Sequence, residues 1–247
     1  MRIMGLKKGS LWSHSADIAS MPWFANGAHL GYMQRMFLDL QTLHHAATLL
    51  DTLGVIVFAI TGALVAARRQ MDPVGFIVVG TATAIGGGTL RDLVLGVRPV
   101  FWVTDQTVLV ISMLAALGTF WAARSVSKIY RLLLWLDAVG MAVFAVAGTQ
   151  KAADLGAAPV VCVLMGVMTA SFGGLIRDIL CGETPLLFHK EIYATAALIG
   201  AGLWLILGTI PALTPELRAI LGFSAAFGVR AAAILWEISL PRYRQVH

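Results

Sequence analysis

The sequence predicts an all-α membrane protein: seven transmembrane helices forming two inverted three-helix repeats plus a seventh helix, with helices 2 and 5 kinked at glycines. Three observations carry that prediction: an apolar composition, seven apolar runs of membrane-crossing length, and a self-match at a shift of 86 residues. Of the 247 residues, 58% are apolar and 13% are charged, and the mean hydropathy is +0.81. Soluble domains carry about 25% charged residues. Half that fraction does not keep a globular surface wet, so a water-soluble fold is excluded. The 18 Lys and Arg exceed the 13 Asp and Glu, for a net charge of +5. They stand singly between apolar runs, a pattern suited to membrane lipid headgroups and not to nucleic acid. Cys162 and Cys181 have neither CxxC nor metal-ligand spacing and read as packing residues.

Residues 1–43 are mixed in character, and no uninterrupted apolar stretch follows Lys7 and Lys8, so a cleaved signal peptide is not expected. This segment reads as a poorly ordered extension, or as sequence ahead of a true start at Met33 or Met36, and no function is drawn from it. The apolar runs then fall at 44–66, 74–95, 106–123, 131–150, 158–180, 191–210 and 217–238. At about 1.5 Å per residue each reaches roughly 27–35 Å, enough to cross a bilayer. The divisions expected are a first repeat at 44–126, a second at 127–212, and a seventh helix with its tail at 213–247.

Seven crossings place the termini on opposite sides. Basic residues close to span ends number eight on the C-terminal side (Arg68, Arg69, Arg124, Lys128, Arg131, Lys190, Arg242 and Arg244) against four on the other (Arg35, Arg98, Lys151 and Arg218). Because positive residues are retained in the cytoplasm, the N-terminus is expected outside and the C-terminus inside.

The self-match is the most specific signal. Asp51, Gly54, Val57, Phe58, Ala59 and Gly62 align with Asp137, Gly140, Val143, Phe144, Ala145 and Gly148. Without a gap, Gly80, Thr83, Ala84, Gly87, Gly88, Arg91, Asp92, Gly96 and Pro99 align with Gly166, Thr169, Ala170, Gly173, Gly174, Arg177, Asp178, Gly182 and Pro185. Fifteen of 32 positions are identical, and shared apolar composition does not match Asp, Arg-Asp and Pro in one register. Each copy holds three spans, so the second enters the membrane upside down. Inverted repeats of this kind place an ion or substrate path at their interface.

Gly86, Gly87 and Gly88 lie inside the second span, where each glycine costs a helix about 1 kcal/mol relative to alanine. Gly173 and Gly174 occupy the matching place in the fifth. The expectation is a kink with an opened backbone, whose freed carbonyls and N–H groups line a polar path; the plainer reading is close helix packing. Ionisable residues at membrane depth face a cavity or one another. Asp51 lies roughly 6 Å from the centre of its span and Arg91 roughly 10 Å from the centre of its own, on the same side. Asp51 therefore meets Arg91 and Asp92, and Asp137 meets Arg177 and Asp178. These six residues are the expected ion pathway; the plainer reading is that the Arg-Asp pairs are neutralised and bolt the helix bend. Arg230, deep in the seventh span, is expected to snorkel to the headgroups.

Paired three-helix units, the doubled Gly-Gly and Arg-Asp motif and a lone seventh helix resemble the bacterial members of the trimeric intracellular cation (TRIC) channel family, formerly the UPF0126 family. The resemblance covers about residues 45–240. It implies a homotrimer in a bacterial inner membrane, with a pore in each subunit bounded by kinked helices 2 and 5. It also implies conduction of monovalent cations, mainly potassium, with K+ or Na+ as the permeating ion and no cofactor or resident metal. Phe172 stands where a third glycine of the second motif would be. The alternative is a secondary transporter of a small solute such as glycine, working through the same helices. An enzyme is not expected: GxSxG, HExxH and a phosphate-binding GxxxxGK[ST] are absent, and His44-His45 at a span edge reads as interfacial packing.

Overall fold

The computed structural model describes residues 51–126, 128–188 and 192–238, all within one compact unit, Ala46–His247. The expected extension at 1–43 and the pair His44-His45 lie outside the described residues. Among the described residues seven helices of more than one turn follow in order: α1 from Asp51–Arg68, then α2 Pro73–Val94, α3 Gln106–Ala122, α4 Ile129–Asp154, α5 Pro159–Leu180, α6 Ala194–Leu207 and α7 Pro215–Trp236. A one-turn helix, Phe101–Thr104, precedes α3. Six of the seven are long and apolar enough to cross a membrane. The exception is α6, whose 14 residues rise only about 21 Å, shorter than the 191–210 run predicts. Gly208 and Pro211 end it early, since neither supports a continuing helix.

The repeat is visible in the way helices start and stop. Both α2 and α5 begin with proline at the first turn, Pro73 and Pro159, where the missing N–H costs nothing. Asp72 completes the start of α2 by accepting the Gly75 N–H at 2.8 Å. At their other ends Gly96 (φ 72°) and Gly182 (φ 62°) take the left-handed conformation. There the Val97 and Glu183 N–H groups donate to the Asp92 and Asp178 carbonyls, each at 2.8 Å. This cap stops each helix one turn after its Arg-Asp pair and folds the following loop back over it.

Close packing holds the two repeats together. Phe58 and Phe144 sit 5.2 Å apart, ring centre to ring centre. Gly54 opens space for the Phe144 ring, and Gly140 does the same for Phe58. On α2 and α5, a Cβ on Gly87 would run into the Thr169 carbonyl oxygen, and one on Gly173 would lie 2.6 Å from the Thr83 carbonyl oxygen. These four contacts are two pairs related by the 86-residue shift. Lipid tails give helices no hydrophobic drive to associate, so backbone approach through small residues supplies the packing. Of the apolar stretch of α4, 72% is buried inside the bundle, against 22% for α3 and 28% for α7; α4 is the central post.

The expected opening of the backbone at the glycines is not what the structure contains. Residues 73–94 and 159–180 are helical without interruption through Gly86–Gly88 and Gly173–Gly174. Freed N–H and C=O groups at membrane depth are costly, whereas an intact helix leaves none. The glycines are used for close approach: Gly86 accommodates Ile176, Gly88 accommodates Phe101, and Gly87 and Gly173 meet the opposite backbone.

Candidate functional site

The Arg-Asp pairs at the ends of α2 and α5 each collect a second acid from a neighbouring helix. In the first repeat Arg91 Nε donates to Asp92 Oδ1 at 2.9 Å, and Arg91 Nη1 lies 3.4 Å from Asp51 Oδ1 on α1. In the second, Arg177 Nε donates to Asp178 Oδ1 and Nη1 to Asp137 Oδ1 on α4, both at 2.7 Å. The pairings are those that span depth predicts, and all six residues gather into two clusters of three. A guanidinium fork suits this task, because its separate N–H groups engage two carboxylates at once.

The two acids of each cluster do different work. Asp92 Oδ2 accepts the Phe101 N–H at 3.0 Å, and Asp178 Oδ2 accepts the Leu186 N–H at 2.9 Å. Each therefore uses one oxygen on arginine and the other to start the short helical turn that follows, at Phe101–Thr104 and Leu186–Phe188. Both oxygens are engaged, so Asp92 and Asp178 position the arginine and the loop. Asp51 and Asp137 are less committed. Among the described residues Asp137 Oδ2 accepts no hydrogen bond, and Nη2 of both Arg91 and Arg177 is likewise without an acceptor. Buried polar atoms of this kind take water or an ion as partner.

The clusters differ in their surroundings. Asp51 is 27% exposed, and Lys151 at the end of α4 approaches Asp92 Oδ1 at 3.5 Å while itself 31% exposed. Lys151 joins one repeat to the other; in the sequence it registers only as a charge near a span end. Arg177 and Asp137 are fully buried. Beyond them a cavity of about 550 Å³ opens, lined by Asp178, Glu183, Thr184, Tyr130, Arg68 and Arg69. Across it Arg68 Nη1 reaches Glu183 Oε2 at 2.9 Å and Arg69 Nη2 donates to the Gly182 carbonyl at 2.9 Å, tying the end of α5 to the end of α1. Among the described residues no group of three or more His, Cys, Asp or Glu side chains is placed to hold a metal.

Arg230 corrects its expectation. It does not snorkel: its side chain is wholly buried, with the guanidinium carbon 5.1 Å from the centre of the Tyr193 ring. The buried residues of α7 are Ala219, Gly222, Ala226, Arg230 and Ala233, a stripe at three- and four-residue spacing. That stripe faces the bundle and takes Arg230 with it; the small residues around Arg230 were the readable signal. Nothing in the sequence marks Tyr193.

A family model described as "Glycine transporter" matches the chain twice, over residues 48–124 and 134–209. The UPF0126 inner membrane protein YadS of Escherichia coli K12 is 42% identical over 195 residues, covering 78% of this chain and 94% of that protein. A UPF0126 membrane protein of Vibrio cholerae is 38% identical, over 79% of this chain and 82% of its own length. Among solved structures, the TRIC trimeric intracellular cation channel orthologue from Rhodobacter sphaeroides is 47% identical, covers 78% of this chain and 98% of its own, and superposes with a TM-score of 0.76.

Proposed function

We propose, on the premise that the chain belongs to the TRIC/UPF0126 family of membrane proteins, that it is a cation channel. The cation is monovalent, mainly potassium, and the path runs between the two inverted repeats of each subunit. It passes from the Asp51–Arg91–Asp92 cluster to the Asp137–Arg177–Asp178 cluster and out through the cavity lined by Arg68, Arg69 and Glu183. The observation that carries this reading is the pair of matched Asp–Arg–Asp clusters on an inverted repeat. In each, two carboxylates surround one guanidinium, an excess of one negative charge among the three residues, which the partly exposed Lys151 offsets in part at the first.

In this reading Asp51 and Asp137 meet the ion, while Asp92 and Asp178 hold the arginines in place. The contacts of Gly87 with Thr169 and of Gly173 with Thr83 close the space between the repeats, and opening separates α2 from α5 at those points. Each glycine at that position weakens its helix by about 1 kcal/mol relative to alanine, which eases that separation. The subunits assemble as a homotrimer in a bacterial inner membrane, with the N-terminus outside and the C-terminus in the cytoplasm. No bond-making chemistry is required of any residue. Selection here rests on charge and a hydrated constriction, which gives a modest preference for potassium.

The name of the matching family model favours a second reading, transport of glycine by alternating access. The two are separated by reconstituting the purified protein. A channel passes discrete current steps in a planar bilayer bathed in KCl. A transporter passes no steps, and in vesicles it exchanges labelled glycine for unlabelled glycine with saturable kinetics. Current steps without glycine exchange support the channel; exchange without steps overturns it.

A further inference from the structure

The seventh helix stands outside the repeat, yet it delivers a charge to only one of the two clusters. Gly200 on α6 and Gly222 on α7 set its rotation: a Cβ on Gly200 would lie 2.6 Å from Ala226 Cβ, and one on Gly222 would lie 3.1 Å from the Gly200 carbonyl oxygen. With that face of α7 seated against α6, Arg230, two turns further along the same stripe, points into the bundle. Its guanidinium rests over the ring of Tyr193, the residue just ahead of α6.

Tyr193 carries the connection onward. Its hydroxyl donates to the Ala170 carbonyl on α5 at 3.3 Å. It also stands 3.7 Å from the point where a Cβ on Gly174 would sit, and Arg177 Nη2 and Asp137 Oδ1 each stand 3.5 Å from that same point. Gly174 thus leaves a clearing into which the tyrosine, the aspartate and the arginine all project. In the first repeat Ala116 packs on Gly80 as Ala201 packs on Gly166, which places Val108, a residue without a hydroxyl, where Tyr193 stands in the second. The additional cation of that cluster is the partly exposed Lys151.

We propose that Arg230 and Tyr193 form an inhibitory arm by which α7 keeps the ion path shut at the second-repeat cluster. The proposal rests on the channel reading above. Asp137 and Asp178 around Arg177 leave one net negative charge, which is what a permeating cation is drawn to. Arg230, buried behind the Tyr193 ring, cancels that charge at low dielectric, where cancellation is strong. Lys151 cancels less at the other cluster, because water reaches both it and Asp51. Movement of α7 relative to α6 withdraws the arginine from the tyrosine face and restores the negative site. The helix that breaks the symmetry is thereby the one that regulates the path.

Single-channel recording of the purified full-length protein in planar bilayers tests this. R230Q is expected to raise open probability by about 5-fold or more, the low end of coupling between linked sites. R230K retains the charge and is expected to behave like the wild type, and Y193L, which removes the ring, is expected to behave like R230Q. Wild-type open probability in both R230Q and Y193L overturns the proposal, as does R230K behaving like R230Q, which would mark a packing role. If R230Q does not yield folded protein, Y193L against Y193F carries the same test, with Y193F expected to stay closer to the wild type. Absence of current from the wild type itself defeats the channel reading, and the inhibitory arm falls with it. Wild-type current with unaltered variants defeats the arm alone.

Discussion

The Asp51 cluster and the Asp137 cluster are built from the same three residue types, 86 positions apart, and they end in different electrostatic states. The first keeps a looser Arg–Asp pair at 3.4 Å, with its α1 carboxylate 27% exposed and a lysine alongside. The second closes to 2.7 Å with its pair fully buried. The repeat places the same three residue types at both sites, and the neighbours make them unequal: α4 ends in Lys151 beside one, while α7 brings Arg230 toward the other. Exposed ion pairs contribute little and buried ones are costly to break. The difference in burial therefore predicts a difference when matched residues of the two clusters are perturbed.

The largest effect is expected at Arg177. R177Q removes the guanidinium that hydrogen-bonds both buried acids, Asp137 and Asp178, and should destabilise the protein by about 3–5 kcal/mol. The matched R91Q should cost about 1–3 kcal/mol, because water reaches Asp51 and Lys151 stays with Asp92. Thermal unfolding of the two variants in detergent checks the order, and equal losses would remove the distinction between the clusters. Next come Gly87→Ala and Gly173→Ala, each of which drives a methyl group toward a backbone carbonyl of the other repeat. Both should lose about 1–3 kcal/mol by overpacking, by similar amounts because the contacts are symmetric; the same unfolding assay reads it.

A smaller effect isolates the exposed cluster. K151M removes a partly solvated charge whose partner, Asp92, keeps Arg91 and the Phe101 N–H, so its unfolding midpoint should fall by the equivalent of about 1 kcal/mol or less. The least effect is expected at Gly118, where a Cβ would meet nothing within 4 Å. Gly118→Ala should be neutral or gain up to about 1 kcal/mol from helix propensity, visible as an unchanged or slightly raised midpoint. A loss there would show that this face of α3 is covered by something that does not tolerate a methyl group.

Much of this was legible because the repeat is written twice. The match of Asp51, Arg91 and Asp92 to Asp137, Arg177 and Asp178 fixes which residues meet, since helix rise and span direction place them at equal depths. The left-handed glycines at 96 and 182 and the leading prolines at 73 and 159 mark helix ends by local rules that need no partner. What single residues do across helices was harder to read. A glycine cluster inside a span is compatible with a broken helix or a close contact, and only the opposing Thr169 and Thr83 carbonyls decide for contact. Tyr193 carries no periodic or charge signal, so its place beside Gly174 emerges only from the packing of α6. Arg230 lay within reach of sequence reasoning: alanine and glycine at positions −4, −8 and +3 place it on a packed stripe, a stronger cue than its nearness to a span end.

The central claim is that the buried second cluster governs ion passage and the more exposed first cluster modulates it. Potassium conductance of D137N and D51N, recorded side by side in planar bilayers, tests it most directly. D137N leaves the Arg177 charge over the path with Asp178 alone against it, and should reduce unitary conductance by about tenfold, the change that 1.4 kcal/mol of added barrier produces. D51N, screened by water, should reduce it by about twofold or less. Equal conductance in the two variants, or a larger loss in D51N, would contradict the account.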